Sequence, residues 1–149
     1  MFSANGKALT MGEEEGMVKV IASSDKKNIL GVHILGPHAS DLIQEAVLAM
    51  KTFIQQYPQG KYVPNAHYWL GELLLTQHQE QSAINEFNTV VNDYPSSNKV
   101  SASMLKLGFI YAHSGDTIKA REEFLKIQKM FPGTTTAQLA EERLRSLPA

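Results

Sequence analysis

The sequence contains no cysteine, which excludes disulfides, thiolate metal ligands and a cysteine nucleophile. No apolar run reaches the roughly 18 residues of a membrane-spanning helix, so membrane insertion is not expected. The N-terminus also lacks an apolar stretch of signal-peptide length, which predicts an untargeted chain and leaves its compartment open. The chain also has no large excess of positive or negative charge. Fourteen basic and fifteen acidic residues give a net charge of -1, so nucleic acid is not an expected partner.

Apolar residues make up 43% of the 149 residues, which is enough to fill a core. This length suits one compact domain, or a small domain joined to a short repeat array. Two full-sized domains are not expected.

The first third of the chain has the pattern of β-structure. Two β-branched runs, Met17 to Ile21 and Ile29 to Leu35, are separated by a turn rich in Ser, Asp and Asn, which predicts an antiparallel hairpin. A strand between Phe2 and Leu9 would extend it to a small sheet. The predicted fold class is therefore α+β, mainly α: an N-terminal β-hairpin or small antiparallel sheet (1–37), followed by an α-helical solenoid (38–149).

The remaining two thirds repeat with a shift of 37 residues. This shift carries Ala46 to Ala83 and Ala120, and it carries Pro58 to Pro95 and Pro132. Both helices of a two-helix unit take part, which predicts stacked helical hairpins, because one hairpin cannot bury its apolar face alone. The predicted repeat core consists of small or apolar residues at corresponding positions: Ala46, Met50, Phe53, Leu70, Gly71, Ala83, Phe87, Leu107, Gly108, Ala120 and Phe124.

The prolines and glycines divide this array into predicted units. A half-unit spans 38–58, complete units span 62–95 and 99–132, and a closing helix spans 135–146. Gly71 lies where the first helix must approach its partner closely, and Pro95 stops the second helix of that unit from continuing.

Leu70-Gly71, Ala83, Phe87 and Pro95, and their counterparts in the next unit, make the array resemble tetratricopeptide repeats. The segments TFIQQYPQGKYVPNAHYWLGELLL, FNTVVNDYPSSNKVSASMLKLGFIY and MFPGTTTAQLAEERL are similar to the C-terminal domain of the Tol-Pal cell division coordinators (CpoB, also YbgF). This resemblance runs from about residue 51 to 147. It implies a non-catalytic protein-binding module of the periplasm that binds a TolA-like envelope partner.

The first fifty residues resemble an unrelated family. FSANGKALTMGEEEGMVKVIASSDKKNILGVHILGPHASDLIQEAVLAM is similar to part of the C-terminal dimerisation domain of dihydrolipoamide dehydrogenases, which are cytoplasmic flavoenzymes. That family's Gly-rich FAD-binding turn and redox cysteine pair are missing, so no cofactor is expected. Two resemblances that meet inside one helix, near Met50-Lys51, indicate an artificial or recombined chimera. The alternative function is an inactive dehydrogenase-related fragment that acts as a dimerisation element.

No motif predicts catalysis. No Gly-x-Ser-x-Gly elbow is present, and the five histidines form neither an i, i+4 pair nor an H-E-x-x-H run, so no catalytic or metal site is expected. The candidate partner groove lies on the first helices of the units, although aromatic residues at helical spacing are more often core. It comprises Asn65, Tyr68, Glu72, Lys106 and Tyr111. Self-association is expected through the unpaired edges of the N-terminal β segment.

Overall fold

The computed structural model describes residues 17–22, 29–35 and 39–148, with side-chain environments from residue 43 onward. The chain divides into two compact units, Met1–Ala46 and Val47–Ala149. Each unit is described by itself.

The N-terminal unit contains two short extended segments, β1 (Met17–Ala22) and β2 (Ile29–Leu35). They pair antiparallel, with Met17 opposite Leu35 and Val20 opposite Val32, and the register shifts between Ile21 and Ala22. The possible strand between Phe2 and Leu9 lies outside the described residues.

Six helices account for most of residues 39–148. The first, α1, begins in the N-terminal unit and ends in the second. Short loops join each helix to the next, and loops of three residues connect α2 to α3 and α4 to α5. The bounds are α1 (Ala39–Gln56), α2 (Val63–Thr76), α3 (Glu80–Asp93), α4 (Val100–His113), α5 (Thr117–Met130) and α6 (Thr135–Ser146).

Local sequence explains where several of these helices begin and turn. Pro64 lies in the first turn of α2, where its missing N–H costs nothing. Asp116 and Thr134 cap α5 and α6, because their side chains accept hydrogen bonds from the backbone N–H groups of Lys119 and Ala137. Gly115, in the turn between α4 and α5, has a φ of 84°, which glycine adopts without steric cost.

The core lies between the paired helices. Phe87 of α3 and Phe124 of α5 are fully buried, together with Leu70 and Leu107 of the preceding helices. The Phe87 ring lies against Gly71, where a Cβ atom would be 2.8 Å from the ring atoms Cε1 and Cζ. This glycine therefore permits the close approach of α2 to α3, and each buried phenylalanine contributes about 1.5–3 kcal/mol of hydrophobic stabilisation.

The predicted fold class, α+β with a β-hairpin or small antiparallel sheet, is wrong. In the part of the chain whose packing the structure describes, residues 43–148, the regular secondary structure is all helical and includes no strand. The pairing of β1 with β2 lies in the other unit and is confined to those two segments. The alternation of β-branched residues indicated strand propensity, and propensity does not specify the tertiary partners that a sheet requires.

The second unit begins within α1, whose side chains are less buried than those of its counterpart α3. Met50 and Phe53 are half-buried, whereas Phe87 and Val90, 37 residues later, are fully buried. Val47, Met50 and Ile54 nevertheless contact the hydrophobic core. This part of α1 therefore covers one end of the helical core incompletely. None of the described helices is long and apolar enough to cross a membrane.

Candidate protein-binding surface

Side chains connect the first helix of each hairpin, α2 and α4, with the closing helix α6. Lys106 of α4 contacts Glu72 of α2, and Arg143 of α6 lies over the Phe109 ring of α4. These contacts place the three helices side by side. We call the surface that they share the first-helix face, and it comprises Trp69, Glu72, Lys99, Lys106, Phe109 and Arg143.

An ion pair lies near the centre of this face. The Nζ of Lys106 donates a hydrogen bond to Oε2 of Glu72 at 2.8 Å, and the side chains are 32% and 25% exposed. The other carboxylate oxygen of Glu72, Oε1, is buried and has no hydrogen-bond partner among the described residues. Partial burial weakens screening, so this pair is worth more than an exposed one.

A cation also lies against two aromatic rings at one end of the face. The Nζ of Lys99 is 4.7 Å from the centroid of the Tyr68 ring and 5.2 Å from that of Trp69. Burial lowers the pKa of Lys99, and the nearby Glu72 opposes this shift. Burial, reinforced by the charge of Glu72, raises the pKa of Tyr68 to about 12. Tyr68 is buried whereas Trp69 is half-buried, so Trp69 supplies the accessible aromatic surface.

A cleft of about 430 Å³ lies where α4, α5 and α6 meet. The Arg143 guanidinium is 5.4 Å from the centroid of the Phe109 ring within its lining. The cleft combines apolar and basic side chains: Phe109, Ala112, His113, Phe124, Arg143 and Leu147.

The structure brings together three of the five predicted groove residues. Tyr68, Glu72 and Lys106 lie in one cluster around Lys99. Asn65 is half-buried on the same helix as Tyr68. Tyr111 instead lies beneath Lys119 of α5, whose Nζ is 5.5 Å from the ring centroid. The groove therefore remains a prediction, with Tyr111 placed away from the central cluster.

Sequence reasoning missed Lys99, Phe109 and Arg143 as members of this face. The repeat contained a signal for two of them, because the shift of 37 residues carries Trp69 to Lys106 and Arg143, and carries Glu72 to Phe109. Corresponding positions on stacked repeats face the same way. Lys99 has no such signal, since its role depends on how closely α4 approaches α2.

The described residues contain no group of three or more histidine or carboxylate side chains arranged to hold a metal ion. His67 contacts Glu86 at 2.6 Å between Nδ1 and Oε2, and this pair joins α2 to α3. His38 lies outside the described residues.

Stacked two-helix units that share a face of mostly half-buried polar and aromatic side chains define a helical repeat protein. The comparisons with known proteins agree. Residues 65–97 match the family model for the tetratricopeptide repeat. Residues 1–56 match the model for the pyridine nucleotide-disulphide oxidoreductase dimerisation domain. These matches confirm the predicted resemblances to tetratricopeptide repeats and to the dimerisation domain.

Curated proteins similar to the chain include dihydrolipoyl dehydrogenases. The protein of Bacillus subtilis is 56% identical over 48 residues, which cover 32% of this chain and 10% of that protein. The Cupriavidus necator protein is 56% identical over 50 residues, covering 34% and 10%. The chloroplastic dihydrolipoyl dehydrogenase 2 of Arabidopsis thaliana is 47% identical over 75 residues, covering 49% and 13%. The chain thus spans about a tenth of the length of these relatives, and its matched families are a dimerisation domain and a repeat, not a catalytic domain.

Proposed function

We propose that this chain is a non-catalytic protein-binding module whose first-helix face binds a partner protein. The observation that carries the proposal is the cluster of Trp69, Glu72, Lys99 and Lys106, which combines an aromatic surface with charged groups across two helices. Tryptophan is enriched at protein interfaces and among the residues that dominate their binding energy, and charged side chains around it contribute mainly specificity and orientation. The match to the tetratricopeptide repeat supports a protein-interaction module.

The finer proposal names the partner class. Because residues 51–147 resemble the Tol-Pal cell division coordinators, the partner is a TolA-like envelope protein. The chain as a whole is a chimera, since its two matched segments belong to unrelated families, and it need not have a native function of its own.

Isothermal titration calorimetry of the full chain with the soluble part of a TolA-like protein tests this proposal. Lys106→Glu reverses a charge on the first-helix face, and we expect it to weaken binding about tenfold or more. Lys129→Glu is the matched control, because Lys129 is exposed near the end of α5. Equal effects of the two substitutions would place the interface elsewhere, and no binding by the unsubstituted chain would refute the partner class.

The match of residues 1–56 to a dimerisation domain favours a second candidate function, in which the N-terminal segment drives self-association. Light scattering coupled to size-exclusion chromatography, over a wide range of protein concentration, tests it. We expect the mass to exceed that of one 16.5 kDa chain. A constant monomer mass at all concentrations would rule this function out.

A further inference from the structure

We propose that one side of α1 pairs with the same side of α1 in a second copy of this chain. We call it the open side of α1, and it comprises Ala49, Met50, Phe53 and Tyr57. This inference rests on the second candidate function, self-association, because it assigns that function to particular residues. Three observations support it: the place of these residues in the repeat, their incomplete burial, and their lack of charge.

The repeat shows which side of α1 is open. The corresponding positions of α3, 37 residues later, face the first helix of the same unit, α2. Glu86 contacts His67 of α2, and the ring of Phe87 lies against Gly71. The Tyr94 ring, just after α3, has its centroid 5.9 Å from that of His67. In the part of the chain that the structure describes, no helix precedes α1, so its open side has no equivalent of α2 to contact there.

The open side is less buried than its counterpart on α3. Met50 and Phe53 are half-buried, whereas Phe87 and Val90 are fully buried. Tyr57 is 57% exposed. Its backbone N–H donates to the carbonyl oxygen of Phe53 at 3.0 Å, and the two ring centroids are 5.4 Å apart. The last helical turn therefore extends to Tyr57, and the two rings form one aromatic surface.

The spacing and the charge of this surface suit an identical helix. Met50, Phe53 and Tyr57 are separated by three and four residues, which is the spacing of the apolar seam between two paired helices. Ala49 and Gln56 lie beside them and are uncharged, so a second α1 meets no like charge along this seam. A surface that binds its own copy forms a two-fold interface.

The comparison with known proteins favours a copy of this chain over another partner. The match to the dimerisation domain covers residues 1–56, which include the whole of α1. An interface made by one helix from each chain is small, so we expect an association that depends on protein concentration.

Light scattering over a range of protein concentration, applied to two matched variants of the full chain, tests this pairing. Tyr57→Glu places a charge in the interface, and we expect the dissociation constant of the dimer to rise about tenfold or more. Leu48→Glu is the control, because Leu48 is 65% exposed and lies on the opposite side of the helix. We expect the control to change the dissociation constant by no more than about twofold. Both side chains are exposed, so both variants should fold.

Single cysteines provide an independent test, because the chain contains none. In a two-fold interface, residues near the axis meet their own counterparts, and a disulfide forms where the Cα atoms are roughly 4.4–6.8 Å apart. Mild oxidation should therefore cross-link at least one of Ala49→Cys, Phe53→Cys and Tyr57→Cys. Gln55→Cys is the control, since Gln55 is exposed on the other side of α1, and we expect it to stay uncross-linked.

Three results would overturn this pairing. Equal effects of Tyr57→Glu and Leu48→Glu on a chain that self-associates would place the interface elsewhere and leave the second candidate function intact. Cross-linking that is no more efficient on the open side than at Gln55→Cys would do the same. A constant monomer mass of the unsubstituted chain would refute self-association itself, and this pairing with it.

Discussion

Replacing Gly71 by alanine should destabilise the helical array, although alanine is the better helix former by about 1 kcal/mol. A Cβ atom at this position would lie 2.8 Å from two atoms of the Phe87 ring, which is about 0.7–1.2 Å inside ordinary carbon–carbon contact. Phe87 is fully buried, so its ring has no empty space to enter. Overpacking of this kind costs about 1–3 kcal/mol, and after the gain in propensity we expect a net loss of about 1 kcal/mol.

Urea unfolding followed by circular dichroism, or by the fluorescence of Trp69, measures this loss. Ser82→Ala is the control, since Ser82 is an exposed position of α3 and gains only helix propensity. Gly71→Ala combined with Phe87→Leu removes the outer ring atoms that the new methyl group meets, so we expect a favourable coupling of about 1 kcal/mol in the double-mutant cycle. If Gly71→Ala alone stabilises the protein as it would in an open helix, the close approach of α2 to α3 is wrong.

Three further outcomes follow from the structure. Lys106→Met leaves the half-buried carboxylate of Glu72 unpaired, so we expect the free energy of unfolding, measured in urea, to fall by about 1–2 kcal/mol. Adding Glu72→Met should recover most of this loss, and no recovery would contradict the pairing. Burial raises the pKa of Tyr68 from 10.0 to about 12, so the neutral phenol stabilises the fold fully below pH 10, and this stabilisation is lost as the pH rises from about 10 to about 12. Tyr68→Phe should therefore reduce the loss of stability at alkaline pH. An unchanged dependence of stability on pH would count against the burial of the phenol. Thr134→Ala removes the N-cap of α6 and should lower the free energy of unfolding by about 1 kcal/mol, whereas Thr134→Ser keeps the hydroxyl and should lower it little. Equal losses would show that the Thr134 hydroxyl does not cap the helix.

The tetratricopeptide resemblance was within reach of the sequence, because its signal is the recurrence of small and aromatic residues at one spacing. Gly71 and Phe87 recur as Gly108 and Phe124, and in both units the glycine lies against the phenylalanine ring. A contact that repeats in the structure requires the same residue types at corresponding positions of each unit, and these recur in the sequence.

The fold class and the composition of the first-helix face were not predictable in the same way. Alternation around Val20 and Val32 indicates extended backbone, yet it does not say whether a sheet forms part of the fold. Lys99 lies over Tyr68 and Trp69 only because α4 packs beside α2 at a particular distance. Such a contact joins residues that are distant in sequence and occurs only once among the described units, so the sequence repeat does not predict it.

The end of α1 explains how two unrelated segments can share one core. The dimerisation-domain match ends at residue 56, the last residue of α1, and the tetratricopeptide match begins at residue 65, within α2. Val47, Met50 and Ile54 follow a spacing of three and four residues, which places them on one side of the helix, and all three contact the core of the array. A helix that ends a repeat array needs an apolar stripe on one side and polar residues on the other, and Lys51 and Gln55 are exposed. Because this requirement concerns pattern and not identity, a helix that matches the dimerisation-domain model satisfies it, although Met50 is only half-buried.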